Sequence, residues 1–165
     1  MVRKPGRMYH AVKGQAYTKK EYMGGVPVPR IARFDDGTLN REFPLQISLV
    51  AKEQCQIRHN ALEAARVACT KHIANKAGNN YHLKIRIYPH QVLREHKYAV
   101  GAGADRISQG MSMSFGVPVG TATRVEKGQR LITLATLKEH FEDAKEALRR
   151  ARMKLPTPCS IIVES

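Results

Sequence analysis

Tyr81-His82-Leu83-Lys84-Ile85-Arg86-Ile87-Tyr88 is the stretch on which the fold turns. Successive side chains of a strand point to opposite faces. Tyr81, Leu83, Ile85 and Ile87 therefore share one apolar face, and His82, Lys84, Arg86 and Tyr88 share an outward face that is basic and aromatic. Upstream, Leu45, Ile47 and Leu49 alternate with Gln46 and Ser48, which predicts a second half-buried strand. Between the two lies a predicted helix over about 60–77, with Leu62, Ala65, Cys69 and Ile73 on one face. Asn60 is its expected N-cap and Gly78 its expected stop. Downstream, strands are predicted over about 119–126 and 130–135, joined at Glu126-Lys127-Gly128. A second helix follows, in which Leu137, Phe141, Ala144, Leu148 and Ala151 recur at helical spacing and Thr136 with Glu139 spells a capping box. Pro156 and Pro158 end it, and Ser160–Val163 predicts a short closing strand.

Charge bounds the function. The 165 residues hold 28 Lys and Arg against 14 Asp and Glu, a formal net charge of +14. Self-repulsion of that size adds nothing to fold stability, so it points to an anionic partner, nucleic acid before a membrane surface. The length fits one compact domain, and 42% hydrophobic residues suffice for a core. No run approaches the ~18 apolar residues of a membrane helix, and no apolar leader stands at the start. The cysteines Cys55, Cys69 and Cys159 are odd in number, widely spaced and free of any CxxC pattern, as expected of reduced thiols in the cytosol.

Residues 1–30 differ from the rest. Arg3, Lys4, Arg7, Lys13, Lys19, Lys20 and Arg30 face a single acid, Glu21, with Tyr9, Tyr17 and Tyr22 interleaved and no helical or strand period. The plain reading is a solvated tail. Cations interleaved with aromatics are also what an arm needs to track phosphates and stack bases, and that reading is preferred here. The rest, 31–165, reads as a single domain. In the second helix, acids come first and Arg149, Arg150, Arg152 and Lys154 crowd the end. That order complements the helix dipole, but four cations in six residues exceed that need, so phosphate contact is expected as well. Lys84 and Arg86 on the outward strand face are the third expected RNA-binding group.

Residues 99–116 have no period and carry Gly101, Gly103, Gly110 and Gly116. A loop this long within a domain is usually functional or mobile. It lacks the GK[ST] of a P-loop and the strand–turn–helix setting of a dinucleotide fingerprint. The seven histidines make no HxxxH or HExxH pattern. No acid/base pair or GxSxG stands out, so no catalytic residue, metal site or cofactor is expected. A small RNA-processing or RNA-modifying enzyme, with Asp105, Arg106 and His96 around the loop, is the alternative.

At this loop the chain resembles a known family. Ala102-Gly-Ala-Asp-Arg106, Gly110-Met111, Phe115-Gly116, Pro118, Gly120-Thr121 and Arg124-Val125 are similar to the large-ribosomal-subunit protein ten-e family. This is the archaeal and eukaryotic branch of the universal family that includes bacterial protein sixteen. Ala61–Arg66, Glu146–Ala151 and the opening Arg3–Pro5 through Gly25–Pro27 agree with it. The short C-terminal end resembles the archaeal form more closely. The resemblance implies an α+β fold: a hammerhead-type antiparallel sheet with two helices, a basic extended N-terminal arm and a long glycine-rich loop. It implies binding to 23S-type large-subunit ribosomal RNA near the 5S ribosomal RNA and the central protuberance, among neighbouring ribosomal proteins, one copy per large subunit. It further implies a loop (Ala102, Gly103, Ala104, Asp105, Arg106, Gly110, Met111) that faces the tRNA acceptor end near the peptidyl-transferase centre. In one place the chain departs from the family: Ser112 and Val117 stand where relatives often carry cations.

Overall fold

The computed structural model describes residues 5–98, 101–102 and 110–164. Eight strands and two helices run through them. They are β1 (Asp35–Gly37), β2 (Leu45–Ala51), β3 (Cys55–Arg58), α1 (His59–Ala77), β4 (Tyr81–Ile85), β5 (Gln91–Glu95), β6 (Val117–Val125), β7 (Arg130–Thr136), α2 (Phe141–Arg152) and β8 (Cys159–Glu164). One sheet has five strands in the order β1-β4-β7-β2-β8, and the other has three in the order β3-β6-β5. Every pairing is antiparallel.

The deciding stretch behaves as its alternation requires. Tyr81, Leu83, Ile85 and Ile87 are buried, while Lys84 is half-buried and Arg86 exposed. The strand's ladder ends at Ile85. Leu83 pairs across β7 with Leu134, which pairs in turn with Ile47 of β2. This apolar row faces α1 and α2, which pack on each other as well as on the sheet. Leu62, Ala65, Cys69 and Ile73 of α1 are fully buried, as are Ala144, Leu148 and Ala151 of α2. Burying each large aliphatic side chain contributes roughly 1.5–3 kcal/mol against the entropy of ordering the chain.

Three expectations change. Thr136 does not cap α2: it is the last residue of β7, fully buried, and its hydroxyl donates to the Asn80 carbonyl at 2.9 Å. The chain enters α2 instead through a 3-10 turn at Lys138–His140. Asn60 is not the cap of α1 but lies in its first turn, after Arg58. Gly78 does end that helix, its N–H returning to the Ala74 carbonyl at 3.1 Å. Ser48 is not solvent-facing. It is fully buried and shares a hydrogen bond with Thr133 at 3.2 Å, while Arg86 Nε donates to the same threonine hydroxyl at 3.1 Å. The predicted strands and their junction at 126–128 are present, but β6 and β7 belong to different sheets. The turn at 126–129 carries the chain from the small sheet to the large one, held where Gly128 N–H donates to the Ala51 carbonyl at 2.8 Å.

Candidate nucleic-acid interface

The N-terminal segment is strapped across the small sheet. On the outer strand β3, Gln56 N–H donates to the His10 carbonyl at 2.9 Å, and on the other outer strand, β5, Val92 N–H donates to the Tyr17 carbonyl at 3.0 Å. Between them, Arg124 of the central strand β6 donates to the carbonyls of Gly14 at 2.8 Å and Lys13 at 3.2 Å. A polar chain braces this arginine. Arg124 Nε donates to Gln91 Oε1 at 2.9 Å, Gln91 Nε2 to Gln56 Oε1 at 2.6 Å, and Gln56 Nε2 to the Tyr9 carbonyl at 3.0 Å. Both glutamines are buried, so each bond also avoids the cost of an unsatisfied amide. The arm tyrosines share in this. The guanidinium of Arg94 lies 3.8 Å from the Tyr17 ring centre, and that of Arg58 lies 5.1 Å from the Tyr9 ring centre. Each of these two rings therefore has a cation over it from within the protein, whereas Tyr22 stands 73% exposed.

The strap brings arm and helix end together. A cleft of about 750 Å³ is lined by Arg7 from the arm, Arg58 from β3 and Lys154 from just beyond α2. Lys154 also lines a second cleft of about 430 Å³ with Arg150, Lys71 and His72, between the two helices. A third, of about 280 Å³, is lined by Arg30, Tyr9 and Arg58. Lys13 and Lys19 are exposed on the arm, and Lys20 lies in a 3-10 turn at Lys20–Tyr22. Arg3 and Lys4 fall outside the described residues.

The cations at the end of α2 divide into two kinds. Arg149 grips Glu146 through two hydrogen bonds, at 2.6 and 2.9 Å, and Arg150 adds one at 3.2 Å. The hydrogen bond from Arg149, then that from Arg150, holds the Glu146 carboxyl down at about 2. Exposed Arg152 and Lys154 make no ion pair among the described residues. Lys84 and Arg86 sit apart from these clefts, on the face of the large sheet opposite the helices. Lys84 pairs there with Asp35 at 3.7 Å. The sequence reading overlooked Arg58, Lys71, Arg94 and Arg124. Lys71 was legible, since it continues the outward stripe of α1, whereas the others acquire meaning only from the strap.

At the long loop, Ala102 is exposed, and Gly110–Met113 forms a 3-10 turn with Met111 standing 88% exposed. Gly103, Ala104, Asp105 and Arg106 lie outside the described residues. The loop's return is tied down where His96 Nδ1 meets the Ser114 carbonyl at 3.1 Å. The His96 ring stacks on Tyr98 at 4.3 Å, and Phe115 lies 5.8 Å from the Arg94 guanidinium. Among the described residues no group of three or more His, Cys, Asp or Glu side chains is arranged to hold a metal ion. None of the helices described there is long and apolar enough to cross a membrane.

An antiparallel α+β domain with its cations gathered in surface clefts has the build of a ribonucleoprotein component. Residues 12–162 match the model of the family described as ribosomal protein L16p/L10e, and the chain belongs to that family. It is 56% identical to the large ribosomal subunit protein uL16 of Methanocella arvoryzae, covering 99% of this chain and 96% of that one. It is also 56% identical to the uL16 of Archaeoglobus fulgidus, over 99% and 94% of the two chains, and 53% identical to that of Thermoplasma acidophilum, over 99% and 93%. The expected resemblance, its archaeal leaning and the reading as a ribosomal protein rather than an enzyme agree with these relatives.

Proposed function

We propose that this chain is a structural constituent of the large ribosomal subunit, in the cytoplasm, where it binds large-subunit ribosomal RNA beside neighbouring ribosomal proteins. Membership of the L16p/L10e family carries the reading. The shared lining of one cleft by Arg7, Arg58 and Lys154 supports it, because converging cations from distant segments suit a polyanion.

The finer assignments extend this reading. Residues 1–30 serve as an RNA-binding arm and 31–165 as the body of a hammerhead-type fold. Arg3, Lys4, Lys13, Lys19, Lys20, Arg30, Arg149 and Arg152 meet phosphates at its rim, and Lys84 with Arg86 meets them on the far sheet face. One copy sits near the 5S ribosomal RNA and the central protuberance. The loop 99–116 reaches the tRNA acceptor end near the peptidyl-transferase centre, with Arg106 as its charge contact, since Ser112 and Val117 are neutral.

Sucrose-gradient fractionation of a tagged copy in archaeal cells, with a high-salt wash, tests the core claim. The expected result is retention in the large-subunit peak. A pool that is free or bound to small RNA, with no large-subunit peak, would sink it.

A further inference from the structure

We propose that the outer side of α1 is the floor of one continuous groove that seats a single strand of RNA, running from Arg7 and Arg58 to Lys71 and Arg150. The inference rests on the ribosomal-RNA-binding reading and adds the track that the strand follows. Two clefts carry it. Asn60, Ala61 and Ala64 floor the larger one, and Ala68, Lys71, His72 and Asn75 floor the smaller. These positions recur at three- and four-residue steps, so they form one stripe along the helix. Lys154 lines both clefts and joins them.

The stripe's dimensions and chemistry fit a polyanion. The rise from Asn60 to Asn75 is ~22 Å at 1.5 Å per residue. That length is spanned by about six or seven nucleotides at the 3.4 Å step of a helical strand. Cations stand along the whole of it: Arg7 and Arg58 at one end, Lys154 midway, Lys71 and Arg150 at the other. Among the described residues Glu53 is the one acid in the two linings, so a negative strand meets little opposition there. Alanine at 61, 64 and 68 keeps the floor low, so a sugar–phosphate backbone can lie close to the helix.

A separate observation falls on the same helix. Asn60 Oδ1 and His72 Nε2 are buried without a hydrogen-bond partner, one in each cleft lining. Buried polar atoms are nearly always bonded. Each residue lines its cleft, so a seated strand brings partners to both: a ribose hydroxyl donates to the Asn60 amide oxygen, and a ribose hydroxyl or phosphate oxygen pairs with the His72 imidazole nitrogen.

The test places a benzoylphenylalanine photo-crosslinker at Ala64, at Ala68 and, as a control, at Lys127 on the exposed turn. Each tagged variant is purified within large subunits before irradiation. Both groove positions should cross-link to one RNA segment, at sites within about seven nucleotides of each other, and Lys127 should not join them there. Cross-links from both groove positions to protein, or to unrelated RNA segments, overturn the proposal while leaving the ribosomal reading intact. Failure of the unmodified tagged chain to enter subunits defeats the ribosomal reading itself. A second measurement uses Lys71→Glu, at an exposed helix position outside the core. Its binding to large-subunit RNA transcripts should weaken roughly tenfold at moderate salt with an unchanged melting temperature, and unchanged affinity counts against the track.

Discussion

Gly116 shows how a single residue sets the base of the long loop. Its φ is +80°, and a Cβ there would lie 2.6 Å from the carbonyl carbon of Glu95. Gly128 has a similar φ of +85° but open space around it. Gly116→Ala therefore combines backbone strain with a backbone clash, and we expect a loss of about 2–4 kcal/mol in urea unfolding, against about 1 kcal/mol for Gly128→Ala. Equal losses would mean that the loop base relaxes freely. Arg66 sets a different condition. It donates to Glu63 at 2.7 and 3.0 Å and to Asp36 at 3.0 Å, tying α1 to β1. The Arg66 hydrogen bond, opposed by burial, holds the Glu63 carboxyl below its ordinary 4.5. A carboxylate with a lowered folded pKa adds stability that is present above the unfolded value and lost as pH falls through the folded one. Arg66→Gln should thus cost about 1–3 kcal/mol at neutral pH. It should also flatten the decline in stability below pH 4.5, a difference measured by denaturation at pH 7 and pH 3.

At the scale of elements, the strap makes a claim about order. Arg124 holds the arm by two carbonyl contacts and is braced by Gln91. Charge-assisted hydrogen bonds of this kind contribute about 1.5–3 kcal/mol each. Arg124→Ala should raise the rate of trypsin cleavage at Lys13 and Lys19 by at least roughly tenfold, the equivalent of 1.4 kcal/mol in local opening, while the melting temperature of the large sheet changes little. Unchanged cleavage would assign the strap to other contacts. This element also marks the reach of sequence reading. The β4 alternation and the two helix stripes were legible because one-sided burial writes a period into the chain. The arm's cations and tyrosines were legible as a composition, but not as a strap, because the partners of residues 9–17 lie as far along the chain as Arg124 and leave no local period. The Thr136–Glu139 box misled for the same reason. A tertiary acceptor, the Asn80 carbonyl, claimed the hydroxyl that local chemistry would have spent on the helix. The basic groups were named from charge alone, so the joining of Arg7 to Lys154 and the isolation of Lys84 emerged only in three dimensions.

For the whole molecule, the net charge of +14 acts in two opposite directions. Salt screens self-repulsion in the free protein, so its melting temperature should rise between 50 and 300 mM potassium chloride, values chosen to bracket the roughly 10 Å screening length. The same salt competes for phosphates. With about eight contacts, the logarithm of the RNA association constant should fall against log salt with a slope of roughly −6 to −7. A slope near −1 would remove the multi-contact interface, whatever the stability does.

The strap has a further consequence, for the chain before it finds its subunit. Outer strands with unpaired backbone groups are templates on which other molecules add, and proteins protect them with charge or cover. Here His10 and Tyr17 lend their carbonyls to the two outer strands of the small sheet, so the arm is also an edge guard. During synthesis the arm emerges first, yet its clasp, Arg124, arrives more than a hundred residues later. Until then the guard has its contacts to β3 and β5 but lacks the central clasp. A newly made copy is thus most open to strand addition at β3 in the interval between the emergence of β3 and the completion of β6.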